Sequence, residues 1–438
     1  PVSQGRPGAA SEEGEGVTLN PKNAGAVSLF LDKARKRFQL VQEAESEQRK
    51  NEREDLRFRG KDQWSEEAQR ERGGAAGGVQ VPSRPMLSID LIQQPDQLVY
   101  NQANKAELGV KLHPAGDNAS DELVEVKQDL FRRIWRDGGF HVALMWAFDR
   151  AKKCGRGWFE VITRYDEDAD LTGPGAFDQE IAARRILHQE NVYMDPSAQE
   201  ADFSDAKWAF VVAWVPLEDA RRQFPKADLP ESGAFDWMGT ETQAPGWADK
   251  GRGEEGSILI ARYWFKEIET ETLCLLKDGR VVVKGEGQAY PADQIETERS
   301  REKVTVYVAK ICGTQLLEEP QEQDGKYFRL IPVIGREQQP VDGKRLWEGL
   351  VRPAMNGQQF ANYAATAMAE GMALEPKAPW VMPEGQDEGY EHEWQQSNVR
   401  NFPVLHYRPT ALGDKLVPPP QRAQIDTSKM QLAMMAWN

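Results

Sequence analysis

The sequence predicts an α+β protein, and three features carry that prediction. A charged helical pattern occupies residues 28–58, and β-branched and aromatic segments dominate residues 154–335. A long run of small residues with helical character then covers residues 343–374. Helical segments therefore stand on both sides of a β-rich body.

Composition limits the class of protein. The chain has 438 residues, which is room for two or three domains at ~100–200 residues each. Its hydrophobic content is 39% and its mean hydropathy is −0.67, values expected of extended helices or of an assembly subunit with large solvated faces. The net charge of −15 argues against tight, static nucleic-acid binding, but not against a protein that lets DNA pass without adhering.

Cysteine usage and hydropathy indicate a reducing compartment and no membrane insertion. Cys154, Cys274 and Cys312 are far apart and form no CxxC pair, so neither a disulfide framework nor a zinc site is predicted. No apolar run approaches the ~18 residues that span a bilayer, and no signal peptide is visible.

The first 58 residues divide into an arm and a helix. Residues 1–27 are rich in Gly, Ser, Glu and Pro, which predicts a disordered arm. Residues 28–58 predict a helix, because Ala34, Phe38 and Val41 recur at helical spacing. From Glu45 onward the pattern is almost wholly charged, and we expect that half to be solvated or to pack only on neighbours.

Three more helices are predicted before residue 154. Residues 90–106 form one, and Ser120 is a good N-cap for the next, which Gly138 and Gly139 would end. Residues 140–152 form the third. The helix after Ser120 is expected to bury four apolar side chains, namely Leu123, Val126, Leu130 and Ile134.

The middle of the chain is predicted to be mainly strands. Asp278 and Gly279 give a strong hairpin signal between two of them. A short helix is expected at residues 217–224, and residues 226–256 show no periodicity and predict a long loop. The predicted strands cover residues 157–165, 182–189, 207–215, 257–266, 273–277, 280–283 and 303–312.

Residues 343–374 are the most informative segment. From residue 347 onward a helix would be about 40 Å long, at ~1.5 Å per residue. It is either an ordinary buried helix or a helix that packs beside copies of itself, since small residues let backbones approach closely.

The sequence contains no convincing active-site motif. His392 begins an HExxH-like run, but Gln396 stands where the second histidine is required. Gly155 and Gly157 are too short a match to a phosphate-binding loop, and close backbone packing explains them. Acidic runs such as residues 166–170 are expected to be solvated loops. The 13 tryptophans could line a sugar site, but packing is their expected role. We therefore expect no enzyme activity and no cofactor.

Matching segments in a fixed order are spread over most of the chain. They are FRGKDQW at 58–64, GRGW at 155–158, VYMDP at 192–196, SDAKW at 204–208, YWFKE at 263–267, IPVIG at 331–335, GLVR at 349–352 and PKAP at 376–379. Together they resemble the phage P22-like portal protein family of short-tailed phages. The chain departs from the family at Pro353, Met355 and Asn356.

The resemblance implies a portal-type subunit with a mixed α/β wing, a two-helix stem and a small clip. The wing would be residues 28–343, helical over 28–153 and β-rich over 154–343. The first stem helix would be residues 344–374, the clip 375–420, and the start of the second stem helix 421–438. The family's crown and barrel are absent from this chain. We expect further residues to follow, because a lone stem helix would expose its apolar side.

The resemblance also implies a function. The subunit would form a ring of twelve copies at one capsid vertex, through which double-stranded DNA is packaged and ejected. Implied partners are the terminase large subunit, head-completion and tail adaptor proteins, and capsid and scaffolding proteins, with no membrane. The protein would be part of the virion and be assembled in the cytoplasm of the host bacterium. The alternatives are another connector, such as an adaptor or nozzle protein, or a carbohydrate-active enzyme.

Candidate site residues follow from this architecture. The channel lining is assigned to Gln421, Gln424 and Lys429. Terminase or adaptor docking on the clip is assigned to Lys377, Trp380, Glu384, Trp394 and Arg400. Packing between stem helices of neighbouring subunits is assigned to Asn356, Gln358, Asn362 and Ala365.

Overall fold

The chain forms two compact units in a computed structural model. Unit 1 comprises Pro1–Arg53 and Ala103–Gly349, and unit 2 comprises Glu54–Gln102 and Leu350–Asn438. The described residues are 24–72, 86–106, 109–114, 120–165, 173–227, 229, 257–284, 294–313, 315–338, 345–374, 380–397, 402–412 and 415–422. Most of the predicted arm and of the predicted loop at 226–256 lies outside these ranges.

The helices follow the predicted order with shifted ends. The first begins at Ala24, so residues 24–27 of the predicted arm are helical. The third begins at Gln93, which places Pro95 in a first turn, where its missing N–H costs nothing. The helices are α1 (Ala24–Arg59), α2 (Glu66–Arg72), α3 (Gln93–Lys105), α4 (Asp121–Asp137), α5 (Phe140–Cys154), α6 (Leu217–Gln223), α7 (Val351–Leu374) and α8 (Glu391–Gln396).

Strands of unit 1 build two larger antiparallel sheets. One has the order β2-β1-β9, and the other has the order β3-β4-β5-β7-β8 with β6 also paired to β5; β10 and β11 form a small pair. The strands are β1 (Arg156–Tyr165), β2 (Gln179–Arg185), β3 (Val192–Met194), β4 (Trp208–Pro216), β5 (Ser257–Leu276), β6 (Val281–Val283), β7 (Ile295–Cys312), β8 (Gln315–Gln323), β9 (Leu330–Ile334), β10 (Arg336–Gln338) and β11 (Leu346–Glu348). The α+β class is thereby confirmed.

The predicted hairpin at Asp278 and Gly279 is confirmed. It joins β5 to β6, with Leu275 opposite Val281. Gly279 has a φ of +83°, a conformation that glycine adopts without strain. The same β5 is 20 residues long and pairs with β7 over most of its length, so two predicted strands are one continuous strand.

The main core of unit 1 lies between α1 and the six-stranded sheet. Ala34, Phe38 and Val41 are fully buried there, as their spacing predicts. The Phe38 ring lies 4.5 Å from the Tyr193 ring between centroids. A second core contains Trp158, Trp264 and Trp347, which confirms packing as the role of these tryptophans.

Two glycines allow α5 to lie directly against its neighbours. A Cβ atom on Gly155 would overlap the carbonyl group of Trp347, and one on Gly157 would overlap the carbonyl group of Ala147. Gly155 also has a φ of +97°, where it ends α5. Close backbone packing, rather than phosphate binding, explains this Gly-Arg-Gly sequence.

The prediction for the buried face of α4 is wrong. Leu123, Val126 and Leu130 are 49%, 65% and 54% exposed. None of the α4 side chains is fully buried, and of the four predicted residues only Ile134 packs on the core under α5, together with Trp135. The Ser120 cap is confirmed, since its hydroxyl accepts a hydrogen bond from the Leu123 N–H at 3.2 Å.

Unit 2 is built around α7, which begins at Val351 and not at residue 347. Leu346–Glu348 form β11 instead, and the Trp347 backbone N–H and C=O are both bonded to the side chain of Gln48. These groups are therefore unavailable to a helix. Val351 and Met355 of α7 pack with Phe58 and Ile92 in the core of unit 2.

The remaining strands of unit 2 are two-residue pairs: β12 (Trp380–Val381) with β15 (Gln421–Arg422), and β13 (Ala411–Leu412) with β14 (Lys415–Leu416). The prediction that a helix begins at Gln421 is wrong at Gln421 and Arg422, because their backbones pair with β12. The rest of that predicted helix lies outside the described residues.

Candidate functional site

One face of α7 uses its amides to hold an extended segment of the same chain. Gln358 and Asn362 accept hydrogen bonds from the backbone N–H groups of Leu91 and Ile89, both at 2.9 Å. Thr366 accepts from the Leu87 N–H at 3.1 Å. Residues four apart lie on one helix face. These three side chains therefore accept hydrogen bonds from alternate backbone N–H groups of residues 87–91, as a neighbouring β-strand would.

The same face is connected to the segment between α1 and α2. The Asn362 amide donates to the Gln63 side chain at 2.7 Å. Because Gln358, Asn362 and Thr366 are buried, their hydrogen bonds are made away from water, where an unmade bond is costly. This face therefore positions α7 within its own subunit.

Arginines fix both ends of this arrangement. The Arg59 guanidinium lies 2.5 Å from an Asp90 oxygen and 3.2 Å from an Asp96 oxygen. Near the start of α7, Arg352 lies 2.9 Å from the Asp55 carboxylate. These pairs are largely buried, so solvent screens them little.

The opposite face of α7 is open. Phe360 is 66% exposed and lies in a stripe with Pro353, Asn356, Gly357 and Ala367, all of them exposed. Apart from its chain neighbours and the backbone of its own helix, no described atom lies within 4 Å of the position that a Cβ atom would take on Gly357. We call this stripe the open face of α7; it combines a protruding ring with a helix backbone that can be closely approached.

The structure divides the four predicted stem-packing residues between these faces. Asn356 lies on the open face. Gln358, Asn362 and Ala365 are buried, with exposed fractions of 3%, 1% and 5%, and the two amides are bonded within unit 2. Their burial removes these three from the surface that another subunit could contact.

The segment assigned to the clip carries an aromatic cluster. The Trp380 and Trp394 rings meet edge to face with centroids 5.2 Å apart. The Trp394 indole donates to the His406 carbonyl at 2.8 Å, and the Glu393 carboxylate accepts from the His406 N–H at 3.0 Å. These contacts hold α8 against the segment around His406.

The structure brings together only part of the predicted clip and channel sets. Trp380 and Trp394 are in contact, and Glu384 is exposed in a turn. Gln421 is exposed on β15. Lys377, Arg400, Gln424 and Lys429 lie outside the described residues.

Unit 1 contains a buried ion cluster, formed by Glu45, Gln48, Arg49 and Glu52 of α1 with Arg156 of β1. Arg156 lies 2.7 Å from Glu52 and 3.0 Å from Glu45, and Arg49 lies 2.8 Å from Glu45. The prediction that this half of α1 is solvated or packs only on neighbours is wrong, because its charges are paired within the chain.

Opposite charges determine the protonation states in the cluster. Burial alone would raise the pKa of Glu45, but Arg156 and Arg49 outweigh it and lower that pKa. Burial opposes the charge of Arg156, yet Glu45 and Glu52 raise its pKa overall. Glu45 and Arg156 are therefore both charged at neutral pH.

Glu190 lies beside this cluster and behaves differently. Its side chain is 1% exposed, and neither carboxylate oxygen has a hydrogen-bond partner in the described part of the chain. Arg53 approaches one oxygen to 3.4 Å. Burial raises the pKa of Glu190 to about 7, with Glu52 adding to the rise and Arg53 opposing it.

The sequence did carry a signal for the buried ion cluster. Ala34, Phe38 and Val41 mark the buried stripe of α1, and the same spacing continues through Glu45, Gln48 and Glu52. The hydrophobic pattern ends at Ala44, but the helical spacing of the buried positions continues beyond it.

Neither a metal centre nor a membrane span emerges from the described ranges. They hold no group of three or more His, Cys, Asp or Glu side chains placed to bind a metal. Their helices are also too short or too polar to cross a bilayer.

Comparison with known proteins defines the class. The model of the phage P22-like portal protein family matches residues 35–437, and the chain belongs to that family. It is also similar to the portal protein of Acyrthosiphon pisum secondary endosymbiont phage 1, with 24% identity over 353 residues. That match covers 76% of this chain and 46% of the relative, so the chain spans about half the length of the curated relative that it matches.

Proposed function

We propose that this chain is a subunit of a ring at one capsid vertex, through which double-stranded DNA enters and leaves the capsid. The observation that carries the proposal is the family match over residues 35–437. The protein would be a component of the virion, assembled in the cytoplasm of the host bacterium, and would act as a structural protein.

Two open apolar faces support assembly into a ring. A closed ring repeats one heterologous interface, in which two different surfaces of the subunit meet. The open face of α7 in unit 2 and the face of α4 that bears Leu123, Val126 and Leu130 in unit 1 would be these two surfaces, because both carry exposed apolar side chains. Exposed apolar patches of this kind mark sites of protein contact. We propose that copies of this chain cover both faces, with about twelve copies in the ring.

The charge of the chain fits a channel that DNA crosses without adhering. A net charge of −15 repels phosphates, so DNA would not be held on the wall. We keep Gln421, Gln424 and Lys429 as proposed lining residues. In this role the chain supplies the passage, and a partner ATPase supplies the energy.

The clip segment is the proposed docking site for partners. This segment contains the Trp380–Trp394 pair and three apolar side chains that are more than half exposed, Val381, Val404 and Leu416. We propose that the terminase large subunit and later the head-completion and tail adaptor proteins contact this segment, through Lys377, Trp380, Glu384, Trp394 and Arg400. Capsid and scaffolding proteins would contact other surfaces of the ring.

Mass photometry of the purified protein tests the proposal. A single species near twelve times the subunit mass, with a central hole in negative-stain images, is the expected result. A monomer over the whole concentration range, or an open filament in place of a ring, would contradict it.

A further inference from the structure

A cavity of about 700 Å³ in unit 1 is lined by residues of both larger sheets. This volume is within the range of ~300–1,000 Å³ that is typical of sites for small organic ligands. β1 and β2 contribute one side, and β4, β5, β7 and β8 contribute the other.

The lining is cationic although the chain is acidic. The described lining residues include five cationic side chains, Arg184, Arg185, Arg262, Lys310 and Arg329, but only two carboxylates, Glu160 and Glu318. Glu318 is matched by Lys310 at 2.8 Å. Positive charge therefore remains in excess around Glu160.

The excess charge is centred on two arginines that share one carboxylate. Arg184 lies 2.7 Å from one oxygen of Glu160, and Arg262 contacts the other. The Glu160 side chain is 3% exposed, so water screens this trio poorly. Burial lowers the pKa of Arg262, Glu160 opposes that fall, and the charge of Arg184 adds to it.

Apolar side chains complete the lining. Ile162, Ile260 and Val308 are among the residues that line the cavity. A ligand that satisfies this lining must therefore combine an anionic group with an apolar body.

We propose that this cavity binds an organic carboxylate, with its charged group on Arg262 and Arg184 and its apolar part against Ile260 and Val308. A guanidinium presents a planar pair of N–H donors that matches the two oxygens of a carboxylate. The carboxylate comes either from a free organic acid or from an acidic side chain of a partner polypeptide. The inference does not depend on ring formation.

Fluorescent carboxylates test the inference. The probes are N-dansyl-glutamate and a dansylated, C-amidated heptapeptide of alternating Glu and Leu, with dansylamide as the probe that lacks a carboxylate. Saturable binding of one site per subunit by either acid, and none by dansylamide, is expected. Equal affinity of the two acids would identify a free acid as the source, and binding of the peptide at least about tenfold tighter would identify a polypeptide.

Two variants and a matched control locate the binding. Arg262→Gln should weaken binding about tenfold or more, because a charge-assisted pair is lost. Ala213→Trp should block it by filling the cavity from an exposed lining position. Arg164→Gln is the control, since Arg164 lies on β1 but pairs with Glu180 outside the cavity lining. Absence of saturable binding by both acids, or binding that all three variants leave unchanged, would overturn the inference.

Discussion

Arg156 and Glu52 are joined at 2.7 Å in the interior of unit 1, where their side chains are 2% and 0% exposed. One comes from the first residue of β1 and the other from the charged half of α1. A buried pair of this kind fixes the position of one element on another, because a charge left without its partner there is strongly destabilising.

Breaking this pair should therefore destabilise the protein. Arg156→Met leaves Glu45 and Glu52 buried without their main partner, and we expect the free energy of unfolding to fall by ~3–5 kcal/mol. Urea denaturation measures this free energy. The control Arg164→Met removes a half-exposed pair with Glu180 and should cost no more than about 1 kcal/mol. Equal losses of unfolding free energy in both variants would show that the buried ion cluster stabilises the fold no more than the half-exposed pair does.

Glu190 should make stability depend on pH. Its pKa rises from an ordinary 4.5 to about 7 on folding, so the folded state binds the proton more tightly. The contribution of Glu190 is therefore complete below pH ~4.5 and is lost as the pH rises towards 7, by up to about 3 kcal/mol.

The difference between wild type and Glu190→Gln isolates this effect from other titrating groups. Denaturation midpoints from pH 4.5 to 8 should show the wild type losing stability relative to the variant as the pH rises. A constant difference across that range would contradict the proposed protonation of Glu190.

The amides of α7 offer a matched pair of substitutions. Asn362→Ala removes the acceptor of the Ile89 N–H and the donor to Gln63, and should cost ~1–3 kcal/mol. Asn356→Ala changes an exposed amide on the same helix and should stay within about 0.5 kcal/mol. Thermal unfolding compares them. A loss of stability in Asn356→Ala as large as that in Asn362→Ala would contradict the claim that the buried amides hold α7 in place.

The open face of α7 should matter for assembly and not for folding. Phe360→Asp places a charge where we propose that a neighbouring subunit packs, so rings should dissociate while circular dichroism stays unchanged. Val281→Asp, at an equally exposed apolar position on β6, is the control. Sedimentation velocity separates rings from subunits. Rings that persist in Phe360→Asp would exclude this face from the interface.

Local patterns predicted much of the fold. Ala34, Phe38 and Val41 face the core as their spacing requires, and Asp278 with Gly279 makes the expected hairpin. These successes share a cause, because each depends on residues close together in the sequence. The choice of which face of α4 is buried depends instead on α5 and the sheet beside it.

The candidate site was harder to predict for the same reason. Gln358 and Asn362 are identifiable as amides on a helix, but only the folded chain shows that residues 89–91 occupy them. Gln421 follows three prolines, which suits a helix start, yet its backbone pairs with Val381 forty residues away. The charges of α1 were missed because a hydrophobic pattern does not detect buried ion pairs.

A symmetry-resolved electron cryomicroscopy reconstruction of the assembled protein tests the central claim most directly. We predict a closed ring in which Phe360 of each subunit is covered by the next subunit, around a central hole wide enough for duplex DNA. A particle without a continuous central hole, or a ring in which the open face of α7 remains in solvent, would contradict it.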